Sequence, residues 1–169
     1  LWRLERSQEA ATRFRQVLDL GRGRGEVSAD QRQRLRELQN EALEYLIQVF
    51  TEDESNTARD VFAFLEGIGG ERYADRVLVR LASRFYEQDR WDRGVEAYGL
   101  LLERVPGDER APRWQLAVAR GYASLGETER SVEALDRLAG NYLEGSAWVR
   151  QQSDPELVRE THDMIERAI

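Results

Sequence analysis

The chain has 169 residues, of which 41% are hydrophobic and 34% are charged, a composition typical of a soluble and mainly helical protein. It has no cysteine, which excludes thiol catalysis, disulfides and the usual zinc fingers. The net charge is −7, and we expect no nucleic-acid ligand because phosphate binding needs a concentrated positive face. No apolar run approaches the roughly 20 residues that cross a bilayer, so no membrane insertion is expected.

Helical periodicity runs through almost the whole chain and predicts an all-α fold. The first helix is expected over residues 4–20, before the glycine-rich run at 21–25. Ser28 and Gln31 form a capping-box pattern, which predicts a long helix that ends near Thr51. Further helices are predicted, in chain order, over residues 56–66, 72–88, 92–104, 112–125, 128–142 and from 155 onwards.

The last helix has a clear start and an apolar stripe. Asp154 supplies a helix N-cap, and Pro155 follows in the first turn, where its missing N–H costs nothing. The stripe consists of Leu157, Val158, Thr161, Ile165 and Ala168. Such a stripe needs a cover. We therefore expect either that the chain is a fragment of a longer protein, as the missing initiator methionine also indicates, or that it forms a homodimer through this helix.

A spacing of small and aromatic residues recurs along the chain. A shift of 37 residues places Phe85 on Tyr122 and Gly94 on Ser131. Two antiparallel helices approach closely only where one of them carries a small side chain, which Gly94 and Ser131 would supply. Aromatic side chains would fill the space between successive helix pairs. The pattern predicts helical hairpins that stack as repeats.

The segment 75–108 resembles a tetratricopeptide repeat, a helical hairpin of about 34 residues. The matching positions are Leu81, Ala82, Phe85, Gly94, Tyr98 and Pro106. The sequence departs from the family pattern at Leu78, where the family prefers tryptophan, and at Leu101, where it prefers alanine. The resemblance implies a right-handed superhelical stack of antiparallel helix pairs, an α-solenoid with eight or nine helices in this chain.

The resemblance also implies that residues 1–169 form one repeat domain. Its expected parts are a half unit (1–20), a glycine-rich connection (21–28), three units (about 29–70, 71–108 and 109–143) and a C-terminal helical segment (144–169). The stretch "YLEGSAWVRQQSDPE", Tyr142 to Glu156, is similar to repeat proteins of gliding and other envelope-building delta-proteobacteria. That second resemblance implies a periplasmic or envelope location, with the cytoplasm as the alternative.

For function, the resemblance implies a concave groove that binds a segment of a partner protein and is lined by the first helix of each pair. The groove positions are Arg76, Val79, Ser83, Tyr86, Glu87, Arg113, Leu116, Arg120 and Ser124. The arginines among them could hold carboxylates through forked hydrogen bonds. The alternative is that these arginines are solvated or paired with acids such as Glu87 and Glu109.

Two of the tryptophans and the single histidine are expected to pack rather than to bind. Trp91 lies at the predicted turn between paired helices, and Trp148 is expected against the C-terminal helix, whereas the role of Trp114 stays open. Because His162 is the only histidine, no histidine-based metal cluster or catalytic dyad can form within the chain. The glycine-rich run 21–25 follows a predicted helix rather than a strand, which favours a flexible connection over a phosphate-binding loop.

The two resemblances together imply a non-enzymatic protein-protein interaction module or scaffold, with no cofactor or metal, that serves an envelope or motility complex. The alternative is a structural spacer within a longer repeat protein, whose ends matter more than its groove. An enzyme is the third hypothesis, since any two acids could meet in space, but nothing in the sequence selects a catalytic pair.

Overall fold

A computed structural model of the protein describes residues 9, 12–14, 16–17, 28–53 and 55–169. Within these residues the fold is all-helical, with eight α-helices, one 3-10 helix and no strand, as predicted. Most of the helix predicted over 4–20, and the whole glycine-rich run at 21–25, lie outside the described residues.

The helices predicted from Ser28 onwards are confirmed, most of them to within one or two residues at each end. Their bounds are α1 Ala29–Glu52, α2 Ala58–Gly67, the 3-10 helix Glu71–Tyr73, α3 Ala74–Glu87, α4 Trp91–Arg104, α5 Ala111–Ser124, α6 Thr128–Tyr142, α7 Ala147–Gln151 and α8 Pro155–Glu166. The short α7 was not predicted as a separate helix. Among the described residues, no helix has both the length and the apolar character needed to cross a membrane.

Side-chain caps explain where the first two helices begin. The backbone N–H of Gln31 donates to Ser28 Oγ (3.2 Å), and the N–H of Ser28 donates to Gln31 Oε1 (2.9 Å), so the predicted capping box is confirmed. The helix predicted from Asn56 starts two residues later, because Thr57 and Asp60 form a second capping box there. That T-x-x-D pattern is visible in the sequence, but it was not used to predict the start of this helix.

The chain contacts divide into two compact units, Leu1–Leu81 and Ala82–Ile169, which we call the N-terminal and C-terminal units. The boundary falls within α3. In the N-terminal unit, the ring of Phe14 lies edge-on to that of Tyr73, with centroids 5.6 Å apart. The buried side chains of α1 begin at Ala42, and Leu38, one turn earlier, is 44% exposed.

In the C-terminal unit, α5 packs against both α4 and α6. Their side chains form a core of Val95, Val118, Ala119 and Ala134, with Tyr98, Leu102, Tyr122 and Leu135 packed around it. The last helix packs partly within the unit, since Thr161 and Ile165 are buried and α8 contacts α6. The chain itself therefore covers part of the C-terminal stripe, while Ile169 stays 70% exposed.

The helix bounds follow the 37-residue spacing seen in the sequence. α5 begins and ends 37 residues after α3, and α6 begins 37 residues after α4. The turns agree as well, because Asp89 (φ 56°) and Gly126 (φ 76°) are 37 residues apart and both adopt the left-handed backbone conformation. We call α3–α4 the first hairpin and α5–α6 the second hairpin.

Two tryptophans are structural. Trp148 is buried, with its ring edge-on to Tyr142 (centroids 5.7 Å apart), and its indole N–H donates to the carbonyl oxygen of Asp108 (2.9 Å). Trp114 is also buried, and the guanidinium of Arg110 lies 5.0 Å from its ring centroid. The partners shown for Trp148 are thus α6 and the α4–α5 connection, where the sequence had suggested the C-terminal helix.

Candidate functional site

A mostly apolar groove of about 710 Å³ runs along α5 in the C-terminal unit. Its lining residues are Tyr86, Trp91, Arg113, Leu116, Ala117, Arg120, Ala123, Ser124 and Met164. Most of them come from one face of α5, because residues three and four apart lie above one another on a helix. We call this cavity the α5 groove.

Five of the nine predicted groove residues line it: Tyr86, Arg113, Leu116, Arg120 and Ser124. Arg76 and Val79 belong to the N-terminal unit, and Ser83 and Glu87 lie outside the groove lining. Four further residues line the groove but were not predicted from the sequence: Trp91, Ala117, Ala123 and Met164.

The side chain of Arg76 has a partner of its own. Its guanidinium donates to Asn40 Oδ1 on α1 (2.9 Å), and one turn later Arg80 forms an ion pair with Glu44 (2.6 Å). These side chains of α3 therefore contact α1, within the N-terminal unit. In the other direction along α3, the hydroxyl of Ser83 lies 3.5 Å from that of Tyr98.

Two exposed arginines belong to the α5 groove. Arg113 and Arg120 are seven residues apart on α5, so their backbones are separated by about 10 Å along the same helix face. Neither guanidinium has a hydrogen-bond or ion-pair partner among the described residues. Glu87, one of the acids suggested as a partner, instead lies 3.4 Å from Arg84. Both arginines can therefore meet an anionic ligand without breaking an existing ion pair.

The floor of the groove is apolar and draws on two distant parts of the chain. Leu116, only 7% exposed, lies between the two arginines in the sequence. Met164 reaches the groove from α8 and is half-buried. It is the only methionine in the chain, and its flexible thioether suits an adaptable contact surface.

Tyr86 forms a wall of the groove rather than a polar contact for a ligand. Its hydroxyl donates to the carbonyl oxygen of Ala117 (2.7 Å). Its ring lies edge-on to Trp91 (centroids 4.9 Å apart) and to Tyr98 (5.4 Å). Burial, with smaller contributions from Tyr98 and Tyr122, raises the pKa of Tyr86 well above its ordinary value. The phenol is therefore neutral, and its hydroxyl is already engaged in the hydrogen bond to Ala117.

Two glycines leave room for this ring. A Cβ atom added at Gly94 or at Gly121 would collide with Tyr86. The prediction that Gly94 permits a close approach therefore holds, but the group that approaches is a tyrosine ring from α3 and not the backbone of a facing helix. At the equivalent place in the second hairpin, the Ser131 hydroxyl donates to the carbonyl oxygen of Ala119 (2.9 Å).

Two groups of the C-terminal unit outside the groove, Asp108 and Tyr142, have shifted pKa values because of contacts within the protein. Hydrogen bonds from Arg110 hold the pKa of the Asp108 carboxyl below its usual range, and Asp108 lies in the α4–α5 connection, outside the groove. Burial raises the pKa of Tyr142 to about 12. Across the described part of the chain, no three His, Cys, Asp or Glu side chains come together as metal ligands.

No protein-family model, curated protein or solved structure matches this chain. The tetratricopeptide resemblance therefore stays a prediction from the sequence pattern. Any statement about function depends on the chemistry of the α5 groove.

Proposed function

We propose that the chain is a non-catalytic interaction module that binds a segment of another protein in the α5 groove. One observation carries this proposal: Arg113 and Arg120 lie exposed beside an apolar floor, and neither has a partner among the residues that the structure describes. Two exposed cations that make no ion pair within the described part of the chain contribute little to the stability of the fold. They are well placed for recognition, because a guanidinium presents a rigid fork of donors to a carboxylate.

The residue types support the same conclusion. Tryptophan, tyrosine, methionine and arginine are enriched at protein-protein interfaces, and Trp91, Tyr86, Met164 and the two arginines all line the groove. Its volume of about 710 Å³ lies in the range of pockets that bind ligands. The walls are held by packed helices and by the Tyr86 hydrogen bond, so the cost of ordering the site on binding is small.

The wider setting of the module is part of the proposal. The resemblance of 75–108 to a tetratricopeptide repeat supports a scaffold made of stacked helix pairs. The resemblance of 142–156 supports a place in a periplasmic, envelope or motility complex, with a cytoplasmic location as the alternative. Both depend on sequence patterns alone.

Photo-crosslinking in the native host tests the proposal. A benzophenone amino acid replaces Ser124, which is exposed and lines the groove, in the full-length protein. Ser124 is a better position than Tyr86, whose hydroxyl already donates to Ala117. The control carries the same amino acid at Arg137, which is 70% exposed on α6 and outside the groove lining.

We expect crosslinks to a different protein from position 124 and not from position 137. Mass spectrometry of the crosslinked product then identifies the partner. Crosslinks that stay within the chain, or that are equally strong from both positions, contradict the proposal and favour a structural spacer.

A further inference from the structure

We infer that the α5 groove takes an extended acidic segment in which two carboxylates, three residues apart, flank an apolar side chain. This inference rests on the proposed function and names the chemistry of its partner. Arg113 and Arg120 are the two cationic contacts, and Leu116 and Met164 are the apolar contacts.

Charge selects the acidic partner. Residues 41–169 carry sixteen arginines and twenty-six acidic residues, a net charge of −10. Several arginines outside the α5 groove are paired, for example Arg130 with Glu127 at 2.7 Å and Arg159 with Glu156 at 3.0 Å. At physiological ionic strength, charges more than about 8 Å away are largely screened. Among the described residues that line the groove, only Arg113 and Arg120 are charged, so the charge closest to a bound ligand is positive.

Geometry selects the spacing of the two carboxylates. The arginine backbones are about 10 Å apart along α5. An extended segment in the polyproline II conformation rises about 3.1 Å per residue with three residues per turn, so side chains i and i+3 point the same way about 9 Å apart. That spacing matches the two arginines. The side chains between the acids then face other directions, and one of them can reach the floor at Leu116.

An extended segment also costs less to order than a helical one. A helix that presented acids about 10 Å apart on one face would place them seven residues apart. Helices shorter than about 12 to 15 residues are only marginally stable in water, so such a short ligand would have to fold as it binds. Polyproline II is already a major conformation of unfolded chains. The short ligand is therefore expected to bind in an extended form.

The test is a selection from a phage-displayed library of random heptapeptides, with the purified 169-residue chain as bait. Three variants are compared with the wild type. Arg113→Gln with Arg120→Gln removes the two groove cations. Ala123→Trp fills the groove at an exposed position of α5 and leaves both arginines in place. Arg137→Gln with Arg159→Gln is the matched control, since it removes two charges at side chains that are each 70% exposed outside the groove.

We expect the wild type to enrich peptides with Asp or Glu at positions i and i+3 and an apolar residue between them. Fluorescence anisotropy with a labelled, end-blocked version of the strongest peptide then measures affinity. Loss of both groove arginines is expected to weaken binding at least tenfold, and binding by the wild type is expected to weaken as salt rises. The control pair is expected to change the affinity less than twofold. Each variant is first checked for unchanged helicity by circular dichroism.

The contrary outcomes separate the two proposals. If the Ala123→Trp variant loses the selected peptides, the groove is the binding site. The acidic-segment inference is overturned if those peptides lack the paired acids, or if they bind equally well to the variant without the groove arginines. If the Ala123→Trp variant binds the selected peptides as well as the wild type does, they bind outside the groove, and the proposed function is overturned as well. No enrichment over a bait-free selection contradicts both.

Discussion

The helices of the two hairpins begin at equivalent positions, 37 residues apart, but different contacts hold the two hairpins together. In the first hairpin, the ring of Tyr86 lies over Gly94. In the second, the residue 37 positions after Tyr86 is Ala123, and the Ser131 hydroxyl bonds to the carbonyl oxygen of Ala119. Equivalent positions of the two hairpins are therefore occupied by a large aromatic side chain, Tyr86, and by the methyl group of Ala123.

This difference explains why a groove exists. Tyr86 and Trp91 form a wall in the first hairpin, and their counterparts in the second are the smaller Ala123 and Thr128. The space that a second aromatic side chain would fill stays open, and Met164 borders it from α8. The repeated pattern specifies the hairpins, whereas the departure from it at Ala123 produces the candidate site.

The largest expected effect tests the aromatic contact of the first hairpin. Gly94→Phe adds a side chain where even a Cβ atom would collide with Tyr86. We expect the variant to lose about 1 to 3 kcal/mol or more of unfolding free energy, because packed interiors tolerate added volume poorly. Thermal unfolding followed by circular dichroism measures the change.

Gly99 provides the matched control for that substitution on the same helix. A Cβ atom added at Gly99 meets nothing within 4 Å, and alanine favours a helix over glycine by up to about 1 kcal/mol. We expect Gly99→Ala to raise the thermal midpoint and Gly94→Ala to lower it. Equal shifts at both positions would contradict the contact between Gly94 and Tyr86.

A medium effect tests the two turns, which have the same backbone conformation but different residues. Gly126→Ala places a side chain at a φ of 76°, and we expect it to lower the free energy of unfolding by about 1 kcal/mol. Asp89→Gly removes a side chain at a φ of 56°, so we expect little loss or a small gain. Urea unfolding measures both, and a larger loss for Asp89→Gly than for Gly126→Ala would contradict the equivalence of the two turns.

The smallest effect concerns the connection between the hairpins. Arg110 donates to the Asp108 carboxylate through its backbone N–H and its guanidinium (2.8 to 2.9 Å), which holds the pKa of Asp108 below its usual range. Because the folded pKa is the lower one, this stabilisation is present above the unfolded value of about 3.9 and is lost as the pH falls through the folded value.

Asp108→Asn is therefore expected to cost less than about 1 kcal/mol at neutral pH, since the pair is partly exposed to solvent. The difference from the wild type should shrink as the medium is acidified below about pH 4. Denaturant unfolding at several pH values measures it, with Asp136→Asn on the exposed face of α6 as the control. A difference that stays constant down to the acid limit would rule out the ionised Asp108 as its source.

The sequence by itself determined the features that depend on neighbours along the chain. The all-helical class, the helix bounds, the caps at Ser28 and Asp154, and the 37-residue spacing follow from periodicity and from bonds between residues two to four positions apart. The tetratricopeptide resemblance, and not the periodicity, supplied the nine expected groove positions, of which five line the α5 groove. The superhelical stack and its right hand both stay predictions.

Only the tertiary structure decided which of these side chains meet. Met164 is forty-eight residues from Leu116 in the sequence, and no local pattern indicates that both line one groove. Tyr86 was predicted to contact a partner, and its hydroxyl proves to bond to Ala117, thirty-one residues away. Arg76 has the same residue type as Arg113 but donates to Asn40 on α1. Local hydrogen bonds specify each helix, whereas a binding surface depends on packing between helices that are distant along the chain.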